Sequence, residues 1–209
     1  FAGITPVASV PLVLIVNPQV PATSLAELID YAKKNPGKLT FASAGVGSAS
    51  HLTAELFKIA AGIDLLHIPY KGGGAATADL ISGQVSMMLE TIPNALPLVR
   101  GGQMRALGVT TKARSVNAPD IATFAESGLP EFDVGAWTGL FVPAGTSNAI
   151  VDLLNAETVR IASDPVYIEQ IKKMGTDVAS SSSEAFRAFV AKDIQNWTEA
   201  IERSGTKPQ

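Results

Sequence analysis

A loop made only of small residues is the first place in this sequence where chemistry could be done. It runs from Ser43 to Ser48, between a β-prone run and a helical pattern. Glycines let the backbone adopt positive φ and let another group approach closely, and Ser48 is a good N-cap. A helix N-terminus offers unpaired N–H groups and the positive end of the helix dipole. The loop therefore suits an anion, and a tight strand-to-helix turn without a ligand is the alternative.

Two further positions are expected to meet this loop at one edge of a sheet. The stretch Tyr70-Lys71-Gly72 follows the next strand pattern and opens another helix, and Glu90 ends the strand after that. In open α/β sheets such connections gather at the carboxyl ends of the strands. Tyr70 offers a phenol donor, and Lys71 either binds a ligand as a cation or is solvated. Glu90 either accepts hydrogen bonds from a ligand or caps the following helix.

Nucleotide-binding motifs fit these loops only in part. Gly45-x-Gly47-x-x-Ser50 is one residue short of the dinucleotide fingerprint, and Asp64 precedes the next strand instead of ending it. In the second loop Lys71 stands before the glycines, and no Gly-Lys-Ser or Gly-Lys-Thr follows. The sequence therefore indicates neither a nicotinamide or flavin site nor ATP.

The residues that usually carry catalysis or bind metals are sparse. There are only two histidines and no cysteine, and the histidines lack the spacing of a metal-binding pair. His51 follows the glycine loop and either reaches a ligand or packs against the sheet, whereas His67 lies inside a strand pattern and is expected to be structural. No Gly-x-Ser-x-Gly elbow and no local carboxylate pair is present. We therefore predict a binding protein with no catalytic residue, metal or cofactor.

Strand and helix patterns alternate along the chain, which is typical of an α/β fold with largely parallel strands. Two capping boxes, Ser24-x-x-Glu27 and Ser181-x-x-Glu184, indicate helix starts. The apolar stripe from Phe186 to Ile201 is predicted to be core. Strands are predicted at 8–16, 39–42, 65–70, 85–89, 106–110 and 134–142, and helices from 24, from 48, at 75–81, 92–99 and 122–127, and from 148.

Composition limits the remaining choices. The 209 residues, 46% of them hydrophobic, are enough for one large domain or two small ones. The net charge is −3 and the 16 basic residues are scattered, so a nucleic-acid partner is not indicated. No apolar run approaches the roughly 18 to 20 residues of a membrane span. The chain begins at Phe1 without a signal sequence, which we interpret as a mature, trimmed or partial chain.

Seven motifs in the same order closely resemble the substrate-binding proteins of tripartite tricarboxylate transporters, the TctC or Bug family of extracytoplasmic solute receptors. The resemblance covers the whole chain. The motifs are Ser24-Leu-Ala-Glu-Leu28, Asn35-Pro-Gly-Lys-Leu39, Gly45-x-Gly-Ser-x-x-His-Leu52, Pro69-Tyr-Lys-Gly72, Asp79-Leu-Ile-Ser-Gly-Gln-Val85, Arg105-Ala-Leu-Gly-Val109 and Gly139-Leu-Phe-Val-Pro-Ala-Gly-Thr146.

The resemblance implies a fold and a function. The fold is that of a type II-like periplasmic binding protein, a Venus flytrap of two α/β lobes that closes around a small organic anion. Residues 17–134 would be the second lobe, and 1–16 with 135–209 would be crossover strands and part of the first lobe. The function would be to bind a mono- or dicarboxylate in the periplasm and deliver it to membrane permease subunits, as a monomer when complete. An α/β enzyme for an anionic substrate and a sensory module for a signalling partner are the alternatives.

The family also implies ligand-binding positions, together with two departures from its pattern. Where relatives commonly carry Asp, this chain has Glu90, and the family's opening Pro-Phe-x-x-Gly-Gly segment is absent from these residues. We expect the first lobe to be incomplete and to expose an apolar face. The ligand-binding residues implied are Ser43, Ala44, Gly45, Gly47, Ser48 and His51 in the first loop, Tyr70, Lys71 and Gly72 in the second, and Glu90.

Overall fold

The longest strand, β1 (Ala2–Val16), contributes to both units into which the chain divides. A computed structural model describes residues 1–204, and side chains as far as Glu202. The first unit consists of Phe1–Val10 and Ala136–Glu199. The second unit consists of Pro11–Gly135 with the described residues from Ala200. The range 17–134 lies inside the second unit, and its assignment as a ligand-binding lobe stays a prediction.

The second unit is built on a mixed sheet with the strand order β3-β2-β4-β1-β5. Strand β2 is parallel to β3 and to β4, whereas β1 is antiparallel to β4 and β5. The expectation of parallel strands is therefore right for the three strands that precede the candidate loops and wrong for β1. The elements are α1 (Leu25–Lys34), β2 (Thr40–Ser43), α2 (Ala49–Ala61), β3 (Leu66–Pro69), α3 (Gly73–Ser82), β4 (Met87–Thr91), α4 (Ile92–Arg100) and β5 (Arg105–Val109).

Helices cover both faces of this sheet, and alternation along β1 explains why. Leu14 and Val16 belong to a core cluster with α1 and α2, whereas Val13 and Ile15 belong to a second cluster with α3 and α4. Successive side chains of a strand point to opposite faces, so a strand buried on both sides reads as a continuous apolar run. This α/β layering is the predicted fold class.

Local signals place most helix ends in this unit. Ser24 Oγ accepts a hydrogen bond from Glu27 N (3.2 Å), as the predicted capping box requires. Glu27 itself reaches Thr23 N (2.7 Å), one residue before the cap. Gly83 ends α3 at φ 82°, a left-handed conformation that glycine adopts without strain.

The short helix predicted at 122–127 is wrong, because the structure has turns there. Thr123 forms a parallel bridge with Val109. Glu126 then accepts from Thr123 N (2.7 Å) and donates its own N–H to Thr123 Oγ1 (3.0 Å), which closes a compact turn. The side chain of Phe124 is fully buried between Phe57 and Phe132. The packing of Phe124 in this aromatic cluster thus favours a turn where the local sequence pattern favours a helix.

The remaining elements are β6 (Gly135–Val142), α5 (Asn148–Ala162), α6 (Pro165–Lys173), β7 (Asp177–Val178) and α7 (Ser183–Ser204). They belong to the first unit, except for Gly135 and the residues of α7 from Ala200. Both β6 and β7 pair with β1. The N-cap of α7 is Ser182, whose Oγ accepts from Ala185 N (3.1 Å), so the box predicted at Ser181 is wrong by one residue. Ser181 instead exchanges two hydrogen bonds with Thr5 Oγ1, each 3.0 Å long.

The apolar stripe of α7 is core only in part. Phe186 is fully buried and packs edge-on against Trp137, with ring centroids 5.5 Å apart. Phe189 is 44% exposed and Ile194 is 61% exposed. On α5, Leu153 is 62% exposed. The prediction that the whole stripe is core is therefore wrong, and this unit presents large apolar side chains to solvent.

Candidate functional site

Three strand ends bring the predicted loops together. Because β2, β3 and β4 are parallel, the chain leaves each of them at the same edge of the sheet. The N–H of Tyr70 donates to Ser43 O (3.1 Å), which joins the first and second loops. A Cβ placed on Gly73 would lie 3.3 Å from Glu90 Oε2, so the second loop also approaches the end of β4. The structure thus gathers every predicted site residue at one edge of one unit.

Glycine is needed at two positions of the first loop. Gly45 has φ 136° and Gly47 has φ 79°, conformations that other residues rarely adopt. At Gly45 a Cβ would also lie 3.3 Å from the carbonyl oxygen of Tyr70. The backbones of the two loops therefore approach each other more closely than a side chain at this position allows.

Most polar groups of the first loop that were predicted to contact a ligand instead form hydrogen bonds with the loop itself or with the start of α2. Four backbone N–H groups are used in this way, so the loop is held by its own hydrogen bonds. These bonds run from Ala44 N to Ser50 Oγ (3.1 Å), from Gly45 N to Ser43 Oγ (3.2 Å), from Gly47 N to His51 Nδ1 (3.1 Å) and from Ser48 N to Gly45 O (3.2 Å). Ser48 Oγ is occupied as well, since it donates to Gly45 O (2.7 Å) and accepts from His51 N (3.3 Å).

The unused donors lie at positions that the sequence analysis did not single out. Within the described residues, no hydrogen bond uses the N–H of Val46, Ala49 or Ser50. Ala49 and Ser50 are the first two residues of α2 after its N-cap, where helix geometry leaves N–H groups unpaired. Once Ser48 is identified as the N-cap, these two donors follow from the sequence.

A second helix N-terminus opens at the same edge. Helix α3 begins at Gly73, two residues earlier than predicted, and its N-cap Gly72 (φ 122°) provides no side-chain hydrogen bond. The first turn of α3 is therefore uncapped. Lys71 is exposed and forms no ion pair with the residues that the structure describes.

Tyr70 is committed to a protein partner. Its hydroxyl donates to Asp79 Oδ2 at 2.7 Å. Burial, together with the hydrogen bond to Asp79 and the charge of that residue, raises the pKa of Tyr70 to about 12. The phenol therefore stays neutral, and its proton is directed at Asp79.

The prediction that Glu90 caps the following helix is wrong in its position, because the N-cap of α4 is Thr91 and Glu90 lies one residue before it. Glu90 Oε1 accepts from Thr91 N (2.7 Å), from Thr91 Oγ1 (3.0 Å) and from Asn94 Nδ2 (3.3 Å). Carboxylates are favourable at helix N-termini because of the dipole. Its Oε2 lies beside Gly73, at the start of α3, and no hydrogen bond to it is described. Glu90 thus places a negative charge between two helix N-termini.

Three stacked aromatic rings lie next to the first loop. Phe41 stacks on His67 with centroids 4.6 Å apart, and His67 stacks on His51 at 4.0 Å. His51 is 4% exposed, so the packed alternative describes its side chain. His67 was expected to be structural, and its Nε2 forms a 2.7 Å hydrogen bond with Ser43 Oγ.

Both histidines are held neutral at physiological pH. Burial, with smaller contributions from His51 and Lys58, lowers the pKa of His67 from its usual 6.5 to about 4. Burial also lowers the pKa of His51, and the nearby Glu55 opposes this only in part. The acceptor role of His51 Nδ1 toward Gly47 N requires this neutral form.

The neutral state of His67 predicts how stability depends on pH. Unfolded His67 binds its proton near 6.5, whereas the folded ring binds it near about 4. Between these values the unfolded chain takes up more protons, so the free energy of unfolding falls as pH falls. The loss should be well below about 3 kcal/mol, because the ring is partly exposed and solvent screens its interactions. Urea unfolding of the wild type and of His67→Phe measures this. The variant keeps a ring in the stack and should lose less stability between about pH 7 and pH 4; parallel curves would contradict the prediction.

A cavity of about 630 Å³ in the same unit lies elsewhere. It is lined by residues including Ser24, Arg105 and Asp120, and by none of the predicted site residues. The Arg105 guanidinium donates to Ala22 O (2.6 Å). This hydrogen bond connects β5 to the segment before α1.

Two absences complete the description, both limited to residues 1–204. No group of three or more His, Cys, Asp or Glu side chains is arranged to hold a metal ion. No helix combines the length and apolar character needed to cross a bilayer.

A sheet edge where glycine-rich loops meet open helix N-termini is typical of a small-molecule site in an α/β protein. Comparison with known proteins agrees. A family model described as the tripartite tricarboxylate transporter family receptor matches residues 1–206. The chain belongs to this family, as its motifs predicted, and the family is one of receptors.

Relatives and solved structures support the assignment. Protein BugT of Bordetella pertussis is 36% identical over 96% of this chain and 62% of its own length. A UPF0065 protein from the tcbD-tcbE intergenic region of Pseudomonas sp. strain P51 is 35% identical over 96% of this chain and 60% of its own length. The chain thus spans about 60% of the length of these curated relatives.

The solved structures share the fold over nearly the whole chain. Rpa4515 of R. palustris, solved with adipate, has a TM-score of 0.82 at 30% identity and covers 100% of this chain and 70% of its own. The periplasmic binding protein BugD has a TM-score of 0.76 at 35% identity, with coverages of 100% and 71%. MatC of Rhodopseudomonas palustris, with bound malate, has a TM-score of 0.75 at 31% identity, with coverages of 96% and 69%.

Proposed function

We propose that this chain belongs to an extracytoplasmic solute receptor that binds a small organic carboxylate at the loop edge of its second unit. The observation that carries the proposal is the pair of helix N-termini at this edge. The first turn of α2 has unused N–H groups at Ala49 and Ser50, and α3 is uncapped at Gly73. Carboxylates bind such groups through charge-assisted hydrogen bonds, each contributing about 1.5 to 3 kcal/mol.

The residues take two roles in this proposal. Val46, Ala49 and Ser50 offer N–H groups to the carboxylate, and Lys71 adds an exposed positive charge. The other predicted residues shape the edge through their internal hydrogen bonds, and their direct contact with a ligand stays a prediction. They are Ser43, Ala44, Gly45, Gly47, Ser48, His51, Tyr70, Gly72 and Glu90.

The ligand is proposed to be a mono- or dicarboxylate. Related structures contain adipate and malate, which are both dicarboxylates. Residues 17–134 would be the lobe that carries these loops, and 1–16 with 135–209 would belong to the other lobe. By its family, the receptor works in the periplasm and delivers the ligand to a tripartite tricarboxylate-type permease.

A ligand screen tests the proposal. The full-length protein that contains residues 1–209 is titrated with malate, adipate, acetate and citrate, and with the diamide of adipate as a neutral control. We expect saturable binding of at least one acid, none of the diamide, and recovery of the acid unchanged. Ligand at 100 times its Kd should stabilise the fold by about 2.7 kcal/mol. Turnover of the acid, or binding of none of them, contradicts the proposal.

One substitution isolates the α2 donor. Ala49→Pro removes a single N–H at the first helical position, where proline is tolerated. Ser48 has φ −68° and ψ 160°, the extended conformation that a following proline requires. We expect about 10- to 150-fold weaker carboxylate binding with an unchanged melting temperature. Ala49→Ser keeps the N–H and is the matched control. Equal affinity of the proline variant and the wild type would exclude the α2 N-terminus as the site.

A further inference from the structure

His67 lies outside the candidate loop but is tied to it through one hydroxyl. Its Nε2 is 2.7 Å from Ser43 Oγ. The same Oγ accepts from Gly45 N (3.2 Å) and lies 3.2 Å from Gly45 O as a donor. Ser43 is fully buried, so water does not substitute readily for these partners. A ring on β3 therefore helps to hold the glycine whose φ is 136°.

His51 contacts the other positive-φ glycine of the loop, Gly47. It reaches back from the first turn of α2, and its Nδ1 accepts from Gly47 N at 3.1 Å. The two histidine rings are stacked on each other at 4.0 Å, with Phe41 beneath His67 at 4.6 Å. The two positive-φ glycines of the loop are thus each connected to one ring of a single stack.

We propose that His67 is a positioning residue for carboxylate binding, and that the His67–His51 pair holds the first loop in its binding conformation only while both rings are neutral. This inference rests on the proposed function. Acting through Ser43 and Gly47, the two rings keep the loop closed on itself while the N–H groups of Val46, Ala49 and Ser50 stay unpaired.

Protonation would break this arrangement for geometric reasons. His51 Nδ1 faces a backbone N–H, so a proton on that nitrogen replaces an acceptor by a second donor. Two charged rings 4.0 Å apart would also repel each other. Burial lowers the pKa of both rings, in agreement with the neutral state.

The charged side chains near the His67–His51 pair would not neutralise two protonated rings. Glu55 on α2 approaches His51 Nε2 to 4.0 Å, but it is paired with Lys58 at 3.0 Å. Lys58 lies 5.8 Å from the centroid of the Phe41 ring, on β2. Beta strands β2 and β3 contribute no other described ionisable side chain to the stack. The pair sits in a locally neutral environment, and acidification should therefore release the loop.

Three substitutions separate the hydrogen bonds from the ring stack. His67→Phe keeps a stacked ring without the contact to Ser43. His67→Gln places a non-titrating amide at the reach of Nε2, and His51→Asn places a non-titrating oxygen at the reach of Nδ1. The probe is malate, with adipate as the second probe, titrated calorimetrically from about pH 8 to about pH 4, a range that reaches the pKa of the His67 ring.

The expected result is a specific pattern of affinity. His67→Phe should bind malate about 2- to 12-fold more weakly at neutral pH, as expected for one lost hydrogen bond, and His67→Gln should recover the affinity. The wild type should lose affinity on acidification beyond the ligand's own titration, and His51→Asn should lose less. Equal affinities of His67→Phe and the wild type, with identical pH profiles, would overturn the inference.

Amide hydrogen exchange of the free chain separates this inference from the proposed function. His67→Phe should lower the protection of Gly45 N–H, and acidification should lower that of Gly47 N–H in the wild type, whether or not a carboxylate binds. Failure of every acid to bind while these protections change would count against the proposed function alone. Unchanged protection at both glycines would overturn the positioning role.

Discussion

Gly45→Val is expected to weaken carboxylate binding by roughly 100-fold or more, the loss of two charge-assisted hydrogen bonds. Gly45 has φ 136°, which a β-branched residue does not adopt, and a Cβ there would lie 3.3 Å from Tyr70 O. The first loop must therefore move away from the second. The strain also costs about 1 to 3 kcal/mol of stability. Calorimetric titration with malate and adipate, together with urea unfolding, measures both effects.

Two other glycines provide matched controls for this variant. Gly47→Ala meets no atom within 4 Å but has φ 79°, so it carries strain without the steric conflict. Gly74→Ala meets no atom within 4 Å and has no positive φ, and it lies inside α3. We expect Gly74→Ala to keep full affinity and to gain about 0.5 to 1 kcal/mol. If Gly45→Val bound the acid as tightly as Gly74→Ala, the loop geometry would not matter for binding.

Phe41→Ala is expected to be the most destabilising substitution near the site, at about 3 to 5 kcal/mol. Phe41 is fully buried in the core of the second unit and also forms the base of the histidine stack. Its removal leaves a cavity and takes the packing surface from His67. The melting temperature should fall by on the order of 10 °C, and protection of the Gly45 N–H against exchange should decrease.

The neighbouring strand offers a control for this prediction. Leu66 on β3 is 54% exposed, so Leu66→Ala should change the free energy of unfolding by about 0.5 kcal/mol or less. Phe41→Leu keeps most of the buried volume and should lie between the two. Similar losses for Phe41→Ala and Leu66→Ala would mean that burial of Phe41 is not what stabilises this edge.

The sequence predicted those parts of the fold that depend on residues close to each other in the chain. Ser24 and Ser48 were identified as N-caps because the donors they accept from lie three residues further on. The helix predicted at 75–81 ends close to its predicted position because Gly83 follows it, and the terminating conformation is a property of glycine itself. The helix predicted at 122–127 failed because Phe124 is drawn into a distant aromatic cluster, which no local pattern reports.

The candidate site divides in the same way. That glycine loops and Glu90 would meet at one sheet edge followed from the alternation of strands and helices. The partners of each polar group did not follow. Tyr70 bonds Asp79 and His67 contacts Ser43. Among the described residues of this loop and helix start, the unpaired N–H groups are those of Val46, Ala49 and Ser50, and the N–H groups of Gly45 and Gly47 are bonded.

By itself, the sequence determined the α/β class, the family, the caps at Ser24 and Ser48 and the loops that could receive an anion. These follow from the periodicity of apolar side chains, the conformations open to glycine and the order of the motifs. Each of these can be read from the sequence without knowledge of tertiary contacts. Only the tertiary structure decided that Ser43 and His67, which are 24 positions apart, share one hydrogen bond, and that Phe189 and Ile194 remain exposed. The reason is physical: a hydrogen-bond partner or a buried face is chosen by strand pairing and helix packing, and neither is a property of one segment.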